Sequence, residues 1–120
     1  MNRPLRVAAI QDLSTFGRCA LSVAMPVLSS MGVQVCPVPT MLLSTHTGGF
    51  TDIRKMDCAD FSIQCARHYA ELQVALEGVY SGYLGDEQQI AGVLEFYNAY
   101  PGALKVADPV LGDNGRLNNG

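Results

Sequence analysis

Two carboxylates that could hold a cation lie near the end of the sequence, in the segment Asp108-Pro109-Val110-Leu111-Gly112-Asp113. Carboxylate oxygens at a turn after an apolar strand can bind Mg²⁺ directly or through its waters. The same residues also fit an ordinary turn, because Asp-Pro begins turns and Asp-Asn-Gly ends them. The spacing therefore leaves two interpretations open, cation or phosphate binding and a plain turn.

A second candidate segment is Thr45-His46-Thr47-Gly48-Gly49-Phe50, which offers hydroxyls, a titratable ring and two adjacent glycines. Glycines let a ligand approach the backbone closely. No lysine follows them, so the segment is not a phosphate loop of the Walker type. His46 could act as an acid, a base or a ring contact, or it could be a hydrogen-bonded structural residue. His68 lies within a predicted helix without a partner, and we expect no chemistry from it.

A third segment, Ser81-Gly82-Tyr83-Leu84-Gly85, places an aromatic ring between two glycines at the end of a predicted strand. Tyr83 could stack on a flat ligand or contribute its hydroxyl. The alternative is a tyrosine that packs in the core.

Strand and helix patterns alternate along the chain, which predicts an α/β fold with a mostly parallel sheet in a single domain over residues 1–120. Pro26 should kink the first helix or mark a late start, and Gly32 should end it. Pro37 and Pro39 should end the second strand early or place it near an edge. We predict strands over 5–10, 33–38, 79–84 and 103–107, and helices over 19–31, 57–76 and 86–97.

The faces and ends of the later helices are also predicted from the pattern. We expect Asp57 to be the N-cap of the second helix and Gly78 to end that helix. Asp86 should cap the third helix. Pro101-Gly102 should form a turn, and residues 108–120 should form a loop. The inward residues are expected to be Phe61, Cys65, Tyr69, Leu72 and Leu76 on the second helix, and Ile90, Val93, Leu94 and Tyr97 on the third.

Parallel sheets bind ligands at the carboxyl ends of their strands. The loops expected at that edge are 11–17, 43–50, 82–86 and 108–115, so the three candidate segments should lie at one edge of the sheet.

The composition removes several classes of function. Residues of the set AVILMFWYC make up 48% of the chain, and the formal net charge is -3, which argues against disorder. Eight Lys and Arg face eleven Asp and Glu with no basic run, which argues against nucleic-acid binding. The uncharged stretch between Arg18 and Asp52 contains three prolines, so no membrane span is expected. Gln11 and Asp12 interrupt the first apolar run, which argues against a signal peptide.

The four cysteines, at 19, 36, 58 and 65, lack metal-site spacing. We expect free thiols in a cytoplasmic protein.

These segments together resemble the pyridoxal kinases of the ribokinase-like superfamily. The resemblance rests on Ala9-Ile10-Gln11, Ser44-Thr45-His46-Thr47-Gly48, Ser81-Gly82-Tyr83-Leu84-Gly85 and Asp108-Pro109-Val110-Leu111-Gly112-Asp113, which occur in that family's order and at similar intervals. It extends from about residue 5 to the end of the sequence. The fold it implies is the N-terminal portion of a three-layer α/β/α domain with a mostly parallel central sheet.

The resemblance implies ATP-dependent phosphorylation of the 5'-hydroxymethyl group of pyridoxal, pyridoxine or pyridoxamine, the vitamin B6 salvage step that forms pyridoxal 5'-phosphate. Asp12, Thr47, Gly48 and Tyr83 would bind the vitamin. Asp108 would lie at the ATP phosphates and their Mg²⁺, directly or through water, with Asp113 on the adjoining loop. The family also implies a homodimer in the cytoplasm, and a monovalent cation as a further candidate ligand.

The sequence departs from the family in three places. Many pyridoxal kinases have Ser where this chain has Asp12, so Asp12 could pair with a protonated pyridine nitrogen or an amine, and the preferred vitamer stays open. Phe50 would add a stacking surface. The Gly-rich motif with an aspartate base, which family members carry late in a chain more than twice as long, is absent. We therefore expect the catalytic base in a missing C-terminal part, and we expect these 120 residues alone to be inactive.

Two other functions remain open. One is a kinase of hydroxymethylpyrimidine or of another small alcohol, because one fold serves several substrates. The other is a truncated, non-catalytic ligand-binding or interaction module.

Overall fold

A computed structural model describes residues 3–17, 21–46, 49–82, 87–107, 112–113 and 116–117. A five-stranded sheet in the order β3-β2-β1-β4-β5 forms its centre, and all of its pairs are parallel except that of β3 with β2. The mostly parallel α/β architecture is confirmed. Its elements are β1 (Arg6–Ser14), α1 (Leu21–Ser30), β2 (Gln34–Leu43), β3 (Lys55–Asp57), α2 (Ala59–Glu71), β4 (Gly78–Ser81), α3 (Glu87–Ala99), β5 (Leu104–Ala107), β6 (Gly112–Asp113) and β7 (Arg116–Leu117).

The strand order places helices on both faces of the sheet. The chain moves from β1 to β2 in one direction and from β2 back across β1 to β4 in the other. Because such crossovers are right-handed, α1 lies on one face and α2 and α3 lie on the other. Consistent with this, α1 packs on β1 and β2, whereas α2 packs on α3. The order therefore reverses between β1 and β4, and this is where ligands bind in open α/β sheets.

The core lies between the sheet and the pair of helices α2 and α3. Ile10, Val38 and Val79, from three adjacent strands, meet Ala66 of α2 and Phe96 of α3, and all five are at most 1% exposed. Burial of such apolar side chains is the main stabilising contribution to a small domain. Among the described residues, Phe96 is the largest fully buried side chain.

The second strand runs through both of its prolines and continues to Leu43, so the prediction that Pro37 and Pro39 end it early is wrong. The alternative, a position near an edge, is confirmed, because β3 pairs only with Met41–Leu43. Gln34 donates its N–H to β1, and backbone groups alternate in direction, so Pro37 and Pro39 present their nitrogens to the unpaired side. Neither proline removes a hydrogen bond from the ladder with β1.

Gly32 ends α1 as predicted. It has a φ of 80°, its N–H donates to Ser29 O at 3.0 Å, and the N–H of Val33 donates to Leu28 O at 3.1 Å. This is the Schellman pattern, in which a left-handed residue closes the helix. Pro26 lies inside α1 and does not mark its start.

The second helix is shorter than predicted and ends at Glu71. Gln73 adopts a φ of 57° and repeats the Schellman bonds, with the Val74 N–H donating to Tyr69 O at 2.9 Å. Gly78 is the first residue of β4, so the prediction that it stops the helix is wrong. At the other end the prediction that Asp57 is the N-cap is wrong, because Cys58 is the N-cap residue. Asp57 precedes it, and its Oδ1 accepts a hydrogen bond from the Ala59 N–H at 2.8 Å.

The predicted inward faces of α2 and α3 need correction. Phe61 and Leu72 are 54% and 61% exposed, and Ala59, Ser62 and Ala66 are the residues of α2 that are buried. The helices approach closely because Gly92 of α3 leaves room for Ser62, whose Cβ would lie 3.2 Å from a Cβ at position 92. Phe61 and Leu72 therefore point outward, whereas Cys65, Tyr69 and Leu76 lie in or against the core as predicted.

On α3 the expectation for Val93 is confirmed, while Ile90 and Leu94 are 43% and 51% exposed. Asp86 lies outside the described residues. The turn at Pro101-Gly102 is present and leads into β5, all of whose residues are exposed.

Two short elements were not predicted. One is β3, and the other is the hairpin of β6 and β7 within the segment expected to be a loop. Among the described residues, none of the helices is both long and apolar enough to cross a membrane.

Candidate functional site

Buried polar side chains gather where β1 and β4 end. Gln11 and Ser14 on β1 and Ser81 on β4 are 5%, 3% and 2% exposed. Ser81 pairs with Ile10 in register, and the Gly82 N–H extends the ladder by donating to Ile10 O at 3.1 Å. These residues therefore lie together at the carboxyl edge, at the point where the strand order reverses.

Gly82 is required there by the side chain of Gln11. A Cβ at position 82 would lie 2.9 Å from Gln11 Cγ and 3.0 Å from Gln11 Cδ. The absence of a side chain thus lets Gln11 lie across the end of β4. This close approach fixes the position of a buried amide at the centre of the edge.

The first strand meets a β-bulge of β2 near its carboxyl end. Its pairing with β2 shifts register between Gln11 and Leu13, so that Asp12 lies opposite two residues of β2, Thr40 and Met41. Bulges of this kind are common beside active sites, where they redirect a side chain. Thr40 is 1% exposed, and its Oγ1 has no hydrogen-bond partner among the described residues.

Asp12 is half-buried, and this burial raises the pKa of its carboxyl group, while a hydrogen bond to its own backbone N–H acts weakly in the opposite direction. Burial disfavours the charged form of an acid because water no longer solvates it. A cationic group beside Asp12 would reverse that effect. The site is therefore suited to a ligand that carries a positive charge or a hydrogen-bond donor.

The segments that follow β1 and β2 are joined to each other. The Thr15 N–H donates to Leu43 O at 2.9 Å, its hydroxyl donates to Ser44 O at 2.8 Å, and the His46 N–H donates to Phe16 O at 3.0 Å. Thr45 Oγ1 is buried without a partner among the described residues. The candidate segment after β2 is therefore held beside the end of β1, and one of its hydroxyls is left unpaired.

Three aromatic rings cluster on these segments. His46 and Phe50 meet edge to face with ring centroids 4.8 Å apart, and Phe16 and Phe50 meet the same way at 5.9 Å. The ring of His46 also packs against Gly17. The ring of Phe50, which the sequence indicates as a stacking surface for a ligand, thus contacts two protein rings edge to face.

Only some of the predicted site residues lie in the described part of the chain. Asp12 lies at the carboxyl edge as predicted. Asp113 is described through its backbone only, which pairs with Arg116 in the hairpin. Thr47, Gly48, Tyr83 and Asp108 lie outside the described residues. Asp108 follows Ala107, which pairs with Ser81, so the chain enters this segment at the same carboxyl edge. Within the described ranges, no group of three or more His, Cys, Asp or Glu side chains could hold a metal ion.

His68 and the cysteines are the other candidates that the sequence offers. His68 is exposed in the last turn of α2. Cys36, Cys58 and Cys65 are free thiols, and Cys19 lies outside the described residues.

The sequence did not indicate that Ser14, Phe16 and Thr40 lie at this edge, or that Ser81 is buried. Polar residues inside an apolar strand run were the available signal, because a strand buried on both faces needs a reason to carry them.

Comparisons with known proteins find this fold in solved kinase structures. Pyridoxal kinase PdxY of Rubrobacter xylanophilus is 34% identical over 119 residues, which cover 93% of this chain and 41% of the relative. The solved structure of a Bacteroides thetaiotaomicron protein assigned as a phosphomethylpyrimidine kinase is 44% identical and superposes with a TM-score of 0.88, over 98% of this chain and 41% of that one. A second crystal form of that protein, with pyridoxal, gives a TM-score of 0.85 over 97% of this chain and 41% of that one at the same identity.

The solved pyridoxal kinase of Lactobacillus plantarum is 32% identical, with a TM-score of 0.82 over 99% of this chain and 42% of that one. No protein-family profile matches the chain. The chain spans about two fifths of the length of the curated relatives it matches. Nearly the whole chain is therefore similar, in sequence and in fold, to part of the pyridoxal kinases.

Proposed function

We propose that the complete protein transfers the γ-phosphoryl group of ATP to the 5'-hydroxymethyl group of a vitamin B6 vitamer. The observation that carries the proposal is the match, at 44% identity over 97% of this chain, to a solved kinase structure that contains pyridoxal. The buried polar groups at the carboxyl edge support it, because they lie where this fold binds ligands.

Asp12, Thr47, Gly48 and Tyr83 would bind the vitamin. Asp12 would pair with the protonated pyridine nitrogen or with the amine of pyridoxamine, because a cation compensates a carboxylate that burial destabilises. The unpaired hydroxyls of Thr40 and Thr45 are available in the same region. The pairing favours substrates with a positive charge over neutral alcohols.

The nucleotide would bind beside the vitamin, with Asp108 and Asp113 near its phosphates. The donor set fits Mg²⁺, which prefers carboxylate oxygens and retained waters. Bound Mg²⁺ would neutralise charge on the phosphates during transfer. This chain's own contribution would be to orient the vitamin's hydroxyl and to exclude water from the edge of the sheet.

We assign no catalytic base to these 120 residues. The Gly-rich motif with its aspartate is absent from the sequence, so the 120 residues expressed alone should bind substrate weakly and show no turnover. A cytoplasmic location, a homodimer and a monovalent cation belong to the same proposal.

The test is a kinase assay on the complete gene product. We expect conversion of pyridoxal to its phosphate, followed by absorbance, only when both ATP and Mg²⁺ are present. Pyridoxine and pyridoxamine should be assayed in parallel to rank the vitamers. No phosphorylation of any vitamer at millimolar substrate would contradict the proposal.

Hydroxymethylpyrimidine is the second candidate substrate, favoured by the assignment of the 44% identical relative as a phosphomethylpyrimidine kinase. Pyridoxal and hydroxymethylpyrimidine are both nitrogen-containing aromatic rings that carry a hydroxymethyl group. A competition assay with equal concentrations of pyridoxal and hydroxymethylpyrimidine distinguishes them. Exclusive turnover of the pyrimidine would replace the vitamin B6 assignment.

A further inference from the structure

We propose that Phe16, His46 and Phe50, named here the aromatic clasp, hold the segment after β2 against the end of β1 and thereby position the substrate-binding residues that follow His46. The inference rests on the proposed function, in which Thr47 and Gly48 contact the vitamin. The clasp residues are positioning residues, and they need not touch the substrate themselves.

The ring geometry is the first observation behind the clasp. Phe50 meets His46 at 4.8 Å with an interplanar angle of 85°, and it meets Phe16 at 5.9 Å and 90°. Edge-to-face pairs at these centroid distances are attractive beyond simple burial. Phe50 is therefore the ring that connects the segment after β1 to the segment after β2.

Gly17 is the second observation, because the cluster depends on it. The residue has a φ of 120°, which side chains rarely adopt, and a Cβ there would lie 3.0 Å from His46 Cγ and still closer to Cδ2. The imidazole thus occupies the space that any other residue at position 17 would fill. The backbone of one segment and the ring of the other are fitted to each other.

Exposure is the third observation. Phe16 and Phe50 are 62% and 40% exposed, so neither ring belongs to the core. Only one backbone hydrogen bond, from the His46 N–H to Phe16 O at 3.0 Å, joins these residues among the described ones. The rings therefore add to the hydrogen bonds of Thr15 and His46 that join the two segments, with little effect on the stability of the whole domain.

The experiment compares three variants of the complete gene product. Phe50→Leu keeps an apolar side chain and removes the ring, and Phe50→Tyr restores a ring. Phe61→Leu is the matched control, because Phe61 is 54% exposed on α2 and has no ring partner among the described residues. Each variant is measured for the KM of the vitamer, the KM of ATP, kcat, and amide hydrogen exchange over residues 40–54.

We expect Phe50→Leu to raise the KM of the vitamer roughly five- to tenfold, with the KM of ATP within about twofold of wild type, as for the loss of two weak aromatic pairs. Exchange at residues 44–50 should accelerate. Phe50→Tyr should restore both quantities, and Phe61→Leu should change neither.

Two results would overturn the clasp. One is unchanged exchange at residues 44–50 in Phe50→Leu, which would show that the ring does not hold the segment, whatever the activity. The other is faster exchange with an unchanged KM for the vitamer, which would show that the segment does not position substrate. If the wild-type protein phosphorylates no vitamer, the proposed function fails, and the exchange measurement alone still decides whether the rings hold the segment.

Discussion

The two ends of the parallel strands treat their polar groups in opposite ways. At the amino end, the Glu77 carboxylate accepts hydrogen bonds from the Arg3 guanidinium and, at 2.8 Å, from the Arg6 N–H. These bonds hold the pKa of Glu77 below its ordinary value. At the carboxyl end, burial raises the pKa of Asp12, and the Thr40 hydroxyl has no partner in the described part of the chain.

This difference separates groups that stabilise the fold from groups that folding leaves unsatisfied. An unpaired buried polar group costs free energy, so a protein keeps one where a ligand can satisfy it. Substitutions at the amino end should therefore lower the stability of the protein and leave its activity unchanged. Substitutions at the carboxyl end should lower its activity and leave its stability unchanged.

The largest expected effect is that of Asp12→Asn on activity in the complete gene product. Removing a charged hydrogen-bond partner of the substrate should lower kcat/KM for the preferred vitamer roughly 10- to 100-fold. Folding raises the pKa of Asp12, so the protein loses stability as the pH rises through the folded-state pKa and the carboxyl group ionises. The Asn variant has no such charge, and it should be at least as stable as wild type at neutral pH. Steady-state kinetics and thermal unfolding check both statements.

Unchanged kinetics for Asp12→Asn would remove Asp12 from the substrate site. A clear loss of stability at neutral pH would show instead that the carboxylate belongs to the structural class of the amino end.

An intermediate effect is expected at the interface of α2 and α3, which is remote from the proposed chemistry. Gly92→Ala would push a methyl group into Ser62, at a cost of about 1–3 kcal/mol of unfolding free energy, more than helix propensity returns. Chemical denaturation measures it. Ser62→Ala in the same chain should recover part of the loss, because it removes the Oγ from the contact.

Gly102→Ala is the control for this prediction, because nothing lies within 4 Å of a Cβ at position 102. Equal stability of Gly92→Ala and wild type would mean that the two helices are packed less closely than described.

A smaller effect than that of Gly92→Ala is expected for Glu77→Gln on stability. Folding lowers the pKa of this acid, so its stabilising contribution is present above the unfolded-state pKa and is lost as the pH falls through the folded-state pKa. The variant should unfold at slightly lower denaturant concentration than wild type at pH 7, and the difference should disappear in acid. Activity should be unchanged.

Glu95→Gln provides the comparison, because the Glu95 carboxylate pairs with Arg67 at 3.0 Å on the surface and accepts no backbone hydrogen bond within the described part of the chain. Its effect should be smaller, as is usual for exposed ion pairs. A larger effect for Glu95→Gln than for Glu77→Gln would contradict the importance of the backbone N–H.

The sequence predicts those parts of the fold where one residue type determines the backbone. Gly32 ends its helix and Pro101-Gly102 forms a turn as expected, because glycine readily adopts a positive φ and proline fixes φ at a value that suits turns. Gln73 was missed, since a glutamine gives no signal that it will adopt a positive φ. The prediction that Phe61 and Leu72 face inward is wrong, because helical spacing identifies an apolar stripe but not the tertiary partner that would cover it.

The candidate site follows the same division. Strand ends and glycine-rich segments locate the carboxyl edge, and Asp12 lies there as predicted. The bulge opposite Asp12 and the unpaired Thr40 hydroxyl depend on the register between two strands, which composition and spacing do not specify.

Pro37 and Pro39 have a consequence for how the sheet can grow. They turn the unpaired side of β2 into a stretch without N–H donors at those two positions, which makes it a poor template for another chain. The opposite edge, β5, is exposed along its whole length and contains no proline. Strand addition is thus directed to one side of the sheet, and the other side is protected against edge-to-edge aggregation.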